Sequence, residues 1–160
     1  MSESQRVGQA WRWLEDHVAN PILRWVLRSR FHGLASDSLL LLSYAGRRSG
    51  ERFATPVAYE RDGDAFVVTT FRDEVVWWRN FQDGHPARLW VAGDPVETAG
   101  QAVTDPVAIA DWLEELAARG RTRLLSFFDL GPDRSRKELE TAAEDLVVVR
   151  FVPTGESDRS

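Results

Sequence analysis

The segment Gly46-Arg47-Arg48-Ser49-Gly50 has the composition of an anion-binding loop. Its two glycines allow a tight turn that exposes backbone N–H groups. Arg47 and Arg48 add forked, permanently charged donors, and Ser49 adds a hydroxyl group. These groups fit a phosphate or a carboxylate, while an exposed turn with two solvated arginines is at least as good an interpretation of the segment alone.

A second cluster, Trp77-Trp78-Arg79-Asn80-Phe81, lies on a short helix predicted from Glu74 to Gln82. Bulky aromatic residues on such a helix usually pack in the core, and the alternative is a flat wall for an aromatic cofactor or substrate. Adjacent helical residues point about 100° apart, so Trp77 and Trp78 cannot both take the same role. Asn80 reaches the same face as Trp77, and capping the helix end is its simplest role.

Other common catalytic arrangements are missing from the sequence. It contains no cysteine, which excludes disulfides, thiolate metal sites and cysteine nucleophiles. His17, His32 and His85 lack metal-ligand spacing, and no dinucleotide, P-loop or Gly-x-Ser-x-Gly fingerprint is present. The loop and the aromatic cluster are therefore the segments that remain as candidates for a functional site.

Charge and length predict a single soluble domain with a small-molecule partner. The chain of 160 residues has a net charge of −5, which argues against nucleic-acid binding. Its first 52 residues hold eight arginines against five acids, so the positive charge is local and suits one specific anion. We recognise no signal peptide and no apolar run long enough to cross a bilayer, and therefore expect a cytoplasmic protein.

The hydrophobic pattern predicts an antiparallel barrel with helices packed on it, an α+β fold. The predicted strands are Leu39–Ala45, Phe53–Glu60, Ala65–Phe71, Ala87–Ala92, Pro95–Val103 and Leu146–Val152. Turn residues separate them, among them Asp62-Gly63 and Gly93-Asp94. Pro56 indicates that its strand lies at an edge or pairs incompletely.

Helices flank these strands in the prediction. Residues 1–35 form a helical segment, interrupted at Pro21. Asp105 caps a later helix that ends at Gly120, and a polar helix covers residues 133–144. Residues 121–131 fit no single element. We expect one domain over residues 1–153 and a polar tail over residues 154–160.

The motifs between Leu39 and Phe81 resemble those of the deazaflavin-dependent nitroreductase family, also described as quinone reductases that use reduced coenzyme F420. That family shows an apolar strand, Gly-Arg-Lys/Arg-Ser-Gly, Thr/Asn-Pro-Val/Leu, Asp-Gly, a Val-rich strand and Trp-x-x-Asn-Leu. The matching segments here are Gly46–Gly50, Thr55-Pro56-Val57, Asp62-Gly63, Phe66-Val67-Val68 and Trp77–Phe81. Their order and spacing agree, and the general layout agrees to about Val152.

The resemblance implies a split β-barrel of about six mostly antiparallel strands, related to the flavin-binding barrels of pyridoxamine-phosphate oxidases. It also implies residues for each part of a bound coenzyme F420. Those that would hold the phosphate and acidic tail are Arg47, Arg48, Ser49 and Gly50. Those that would lie at the ring are Pro56, Val57 and Trp77. Those at the family's phosphate-contacting turn are Thr69 and Thr70.

The implied reaction is hydride transfer from the reduced deazaflavin to a small-molecule electron acceptor, which is a quinone, a nitro compound or an activated alkene. Because the cofactor carries the redox chemistry, the protein must supply orientation and a source of protons rather than a nucleophile.

Three positions depart from the family's pattern. Residues 70–73 replace Ser-Lys-Gly-Gly, and Arg72 takes the place of the lysine. Phe53 stands where the family often has an arginine. Residues 124–128 lack the late-loop tyrosines of members that reduce nitro compounds, which leaves Ser126 as the candidate catalytic proton donor.

Several alternatives stay open. A barrel of this kind also suits a non-catalytic module that binds a flavin, haem or a lipid-like ligand, and FMN shares the tricyclic ring and phosphate of F420. Trp11, Trp13 and Trp25 interleave with arginines, so a weak contact with a membrane surface competes with packing over the barrel end. Such barrels often pair, but no residue decides between a monomer and a homodimer.

Overall fold

The computed structural model describes residues 39–131 and 133–154. The predicted N-terminal helix, its tryptophans and the polar tail lie outside this part of the chain. The strands are β1 (Leu39–Ala45), β2 (Arg52–Ala58), β3 (Glu60–Asp62), β4 (Ala65–Phe71), β5 (His85–Val91), β6 (Asp94–Val103) and β7 (Leu146–Pro153). The helices are a 3-10 helix (Trp77–Phe81), α1 (Pro106–Ala118), α2 (Thr122–Phe127) and α3 (Arg136–Ala143).

The seven strands of the described residues form one curled antiparallel sheet in the order β2-β1-β5-β6-β7-β4-β3. The α+β barrel predicted from the sequence is therefore confirmed, although with seven strands rather than six. The extra strand arises because the run predicted over Phe53–Glu60 breaks at Tyr59, so that β3 pairs separately with β4. Pro56 lies in β2, which ends the sheet order, as its missing N–H predicted.

Both faces of β4 and β7 are buried, which explains their nearly continuous apolar sequences. One face contributes Phe66, Val68, Val149 and Phe151 to a core inside the curl of the sheet. The other face contributes Ala65, Val67 and Val148 to a second core beneath the three α-helices. We call these faces the inner face and the helix-covered face.

The helix signals predicted from the sequence are largely confirmed. Asp105 accepts from the N–H of Ala108 at 3.2 Å and caps α1, whose first residue is Pro106. Ser135 and Glu138 form a capping box at α3, so that helix begins at Arg136 rather than at residue 133. The ambiguous residues 121–131 contain α2. The helix predicted over Glu74–Gln82 is only the five-residue 3-10 helix.

Antiparallel pairing brings several segments to one end of the sheet, which we call the loop end. Ala45 and Arg52 face each other there, and Phe71 pairs with Leu146. His85 begins β5 at the same end, where its Nε2 lies 2.6 Å from the carbonyl oxygen of Ala45. The fold therefore places the β1–β2 loop, the end of β4 and the 3-10 helix at a common end of the sheet.

Candidate functional site

The β1–β2 loop is closed by its own backbone. The N–H of Gly46 donates to the carbonyl of Glu51 at 2.7 Å, and the N–H of Gly50 donates to the carbonyl of Gly46 at 2.9 Å. Gly50 has a φ of 75°, a conformation that favours glycine. The hydroxyl of Ser49 accepts from the N–H of Glu51 at 3.1 Å. The Gly-Arg-Arg-Ser-Gly sequence thus forms a compact turn with a defined shape.

Gly46 allows this turn to pack closely. A Cβ at this position would lie 2.7 Å from the Ser49 hydroxyl and 2.9 Å from the ring of Phe53. The Phe53 ring stacks on Tyr44 with centroids 5.6 Å apart, yet Phe53 remains 44% exposed. An accessible aromatic surface therefore lies directly beside the loop.

Asn80 joins the loop to the 3-10 helix. Its side-chain oxygen accepts from the backbone N–H of Arg47 at 2.8 Å, and its side-chain nitrogen donates to the carbonyl of Trp77 at 2.9 Å. The guanidinium of Arg47 forms an ion pair with Asp83 at 3.1 Å, just beyond the same helix. Both the backbone and the side chain of Arg47 are therefore engaged.

The donors that remain in the loop belong to Arg48 and Ser49. No described residue accepts from the backbone N–H of either residue, and the Arg48 guanidinium forms no ion pair within the described part of the chain. Two consecutive N–H groups and an unpaired guanidinium are suited to bind phosphate oxygens. The loop is also where the family resemblance implies a phosphate and acidic tail.

The residues predicted at the ring divide between the two sides of the sheet. Val57 pairs with Leu40 and belongs to the inner core, whereas Pro56 alternates to the opposite side. Trp77 also packs in the inner core, edge-on to Phe81, and Trp78 is buried in the same core, so the expectation that the two tryptophans take different roles is wrong. Val57 and Trp77 are only 6% and 9% exposed, so each offers little surface to a ligand.

Thr69 and Thr70 also point to opposite sides of the sheet. Thr69 is buried on the helix-covered face, where its hydroxyl accepts from the indole N–H of Trp112 at 3.2 Å. Thr70 alternates to the inner face and is half-buried. Of the two, only Thr70 lies on the side that carries Phe53.

Two further predicted site residues, Arg72 and Ser126, lie just after β4 and in α2. Arg72 donates to the carbonyls of Thr104 at 2.9 Å and Leu146 at 3.1 Å, which ties the end of β4 to its neighbours. Ser126 is an exposed residue of α2, whose neighbour Leu125 packs in the helix-covered core. The described contacts do not join either side chain to the β1–β2 loop.

Tyr44, near the end of β1, is a buried tyrosine next to the β1–β2 loop. It is 6% exposed, and burial raises the pKa of its hydroxyl above the ordinary value. The hydroxyl therefore stays protonated at neutral pH. Tyr44 packs between Phe53 and Phe81 and supports the exposed aromatic surface from below.

Sequence reasoning missed the roles of Asn80, Asp83 and Phe53. Asn80 was expected to cap its helix, and its side chain does bond the carbonyl of Trp77 there, but its second partner, Arg47, is 33 residues away in the chain. The available signal was its place in the Trp-x-x-Asn motif after a Gly-Arg loop. Asp83 and Phe53 carried no signal of this kind.

The described residues contain neither a metal-binding cluster nor a membrane-spanning helix. No group of three or more metal-ligating side chains lies together among them. No helix among them is long and apolar enough to cross a membrane.

Comparison with known proteins identifies the family of this chain. The model of the F420H(2)-dependent quinone reductase family matches residues 28–119, which is more than half of the chain. The match includes the β1–β2 loop and the 3-10 helix. No curated protein matches the chain.

Solved structures show a similar architecture at low sequence identity. An F420 reductase is 20% identical, with 74% of this chain and 88% of that chain covered and a TM-score of 0.42. The FAD and heme binding protein from Mycobacterium smegmatis is 18% identical, with 75% and 62% covered and a TM-score of 0.45. A protein related to general stress protein 26, of the pyridoxinephosphate oxidase family, from Clostridium acetobutylicum is 14% identical, with 74% and 76% covered and a TM-score of 0.50. The last likeness supports the split-barrel fold and nothing beyond it.

Proposed function

The chain belongs to the F420H2-dependent quinone reductase family, and we propose that it transfers a hydride from reduced F420 to a small-molecule acceptor. The family establishes F420 as the cofactor and reduction as the general chemistry. The acceptor is the proposed part: a quinone first, with nitro compounds and activated alkenes as further candidates.

The β1–β2 loop is the proposed site for the cofactor's phosphate and acidic tail. Arg48 contributes its guanidinium and backbone N–H, and Ser49 contributes its backbone N–H. Gly50 permits the turn that exposes these donors. Backbone donors held in a fixed turn bind an anion without first having to reorganise, and the Arg48 guanidinium adds a positive charge.

The ring would then lie on the side of the loop that carries Phe53. Thr70 is on this side. Val57 is on the same face, about 16 Å along β2 from Arg52, which is the first residue of the strand after the loop, at the ordinary strand rise. The cofactor supplies the hydride when bound. The protein's part is to orient the ring and the acceptor and to keep both from bulk water.

The observation that carries the proposal is the set of donors at Arg48 and Ser49 that have no partner among the described residues, in a loop whose other backbone N–H groups are all bonded. Both residues are exposed, so a ligand can reach these donors without displacing a protein partner. This chemistry agrees with the anionic tail of F420 and is equally compatible with the phosphate of FMN.

The test is a fluorescence titration with oxidised F420, with FMN run in parallel. We expect saturable binding of F420 near micromolar affinity, or about −8 kcal/mol, and weaker binding of FMN. Arg48→Ala should weaken F420 binding, whereas Arg134→Ala, which removes an exposed arginine of the α3 region, should not. Equal binding of F420 by both variants would refute the loop assignment.

Turnover is tested separately, with reduced F420 and a panel of quinones, nitro compounds and activated alkenes. Loss of the reduced cofactor's signal that depends on both enzyme and acceptor would support the reductase function. Tight binding of F420 without turnover of any acceptor would instead indicate a non-catalytic binding module.

A further inference from the structure

Asn80 bonds to two different segments through one side-chain amide. Its oxygen accepts from Arg47 in the loop, and its nitrogen donates to Trp77 in the 3-10 helix. We propose that Asn80 is a positioning residue, which holds the β1–β2 loop in the shape that binds the cofactor's phosphate. This inference rests on the proposed function, because it assigns a role within that site.

An amide suits this position better than other polar side chains. Asparagine offers an acceptor and two donors at once, whereas a carboxylate offers only acceptors. A carboxylate here could not donate to the carbonyl of Trp77, and it would add negative charge beside an anion site. Alanine would leave both backbone groups without their present partner.

The 3-10 helix is a firm anchor for this contact. Phe81, the residue after Asn80, is fully buried, and Trp77 and Trp78 are buried in the same core. The indole N–H of Trp78 donates to the carbonyl of Arg72 at 3.0 Å. Because the core fixes the 3-10 helix, the hydrogen bond from Asn80 also fixes the position of the loop.

The contact also determines which donors face outward. Because the Arg47 N–H is used by Asn80, the open donors of the loop begin at Arg48 and Ser49. Asp83 holds the Arg47 guanidinium at the same side of the loop. Loss of Asn80 would free the Arg47 peptide to rotate, and the adjoining donors of Arg48 and Ser49 would no longer be held in one arrangement.

The experiment compares two probes and two variants. The probes are F420 and the corresponding deazaflavin riboside, which carries the same ring but no phosphate or acidic tail. The variants are Asn80→Ala and Gln101→Ala. Gln101 is the matched control because its amide donates to the carbonyl of Gln82 at 2.8 Å, which anchors the C-terminal end of the 3-10 helix through a contact that does not involve the loop.

We expect Asn80→Ala to weaken F420 binding about tenfold, the effect of one well-placed hydrogen bond, and to change riboside binding less than about twofold. Gln101→Ala should change neither by more than about twofold. The riboside also reports folding, since a damaged barrel would bind neither probe.

A double-mutant cycle with Arg48→Ala adds a readout that a merely structural role would not move. If Asn80 acts by aiming the Arg48 donors, its removal should cost clearly less in the Arg48→Ala background. Equal losses for both probes, full additivity, or no effect of Asn80→Ala on F420 would each overturn the inference while leaving the proposed function intact. A wild-type protein that binds the riboside but gains no affinity from the phosphate and tail would overturn both this inference and the assignment of the β1–β2 loop as the phosphate site, and the turnover assay would still decide the reductase function.

Discussion

Phe81 of the 3-10 helix and Phe151 of β7 meet edge to face, with ring centroids 5.2 Å apart and planes at 79°. Both lie against Gly100 of β6, where a Cβ would come within 2.7 Å of either ring. This contact is what seats the 3-10 helix on the sheet. Asn80 directly precedes Phe81 in the chain. The same contact therefore also fixes the position of Asn80, the residue that bonds to the β1–β2 loop.

Gly100→Ala should therefore disturb both stability and cofactor binding. Phe81 and Phe151 are fully buried and have no room to move aside, so the added methyl overpacks the core at a cost of about 1–3 kcal/mol. Urea unfolding measures this cost, and F420 titration measures the effect on the loop. Gly131→Ala is the control, because no described atom lies within 4 Å of its Cβ. A stable Gly100→Ala protein with normal F420 affinity would contradict this account.

The sequence predicts best where local chemistry decides the structure. The apolar run Leu39–Ala45 became β1 with the same bounds, and the Asp105 cap with Pro106 began α1 as expected. Turns were less accurate. Ala92 and Gly93, with φ of 51° and 86°, form the turn between β5 and β6, so Asp94 already belongs to the strand.

Long-range contacts could not be read from the sequence in the same way. Period-two alternation implies that Thr69 and Thr70 face opposite sides, but only the position of the helices shows which side is covered. The bond between Asn80 and Arg47 joins residues 33 positions apart, and the Trp-x-x-Asn motif by itself does not identify the partner. The composition of the loop could be read from the sequence. Its side-chain partners in distant segments are known only from the structure.

Thr69→Val tests whether Thr69 is a structural residue or a ligand contact. The change keeps the shape of the side chain but leaves the buried indole N–H of Trp112 without its acceptor, at a cost of about 1–3 kcal/mol. We expect lower stability in urea and F420 affinity within about twofold of wild type. Thr70→Val makes the same change one residue away and removes no described hydrogen bond, so it should barely alter stability. Reduced F420 affinity in Thr69→Val at full stability would instead support the contact implied by the family resemblance.

Asp62 should make stability depend on pH under acidic conditions. Its hydrogen bond to Arg150 at 2.7 Å is the main cause of a pKa below the ordinary value, and Arg119 at 3.0 Å adds to it. Because the native pKa is the lower one, the stabilisation is complete above the unfolded pKa of about 3.9 and is lost as the pH falls through the native pKa. The pair is partly exposed and screened by solvent, so the effect stays below about 1 kcal/mol.

Urea unfolding between about pH 6 and about pH 3 measures this dependence. Asp62→Asn should lose stability at neutral pH and show a shallower decline toward acid than wild type. Asp64→Asn is the matched control, because this exposed neighbour forms no described ion pair. Parallel pH profiles for wild type and Asp62→Asn would show that the Arg150 and Arg119 contacts contribute nothing.

Arg47 and Arg48 should differ in their importance for cofactor binding, although they are adjacent and chemically identical. The Arg47 guanidinium is paired with Asp83, and its backbone N–H bond to Asn80 survives truncation of the side chain. The Arg48 guanidinium has no described ion pair, so it is free to bind the phosphate.

A charge-assisted hydrogen bond contributes about 1.5–3 kcal/mol, so Arg48→Ala should weaken F420 binding at least about tenfold, and Arg47→Ala about threefold or less. Raising the salt concentration should shrink the difference between the variants, because it screens the charge that only Arg48 offers to the ligand. If Arg47→Ala costs as much affinity as Arg48→Ala, the ion pair with Asp83 opens on binding, and the two arginines share the anion.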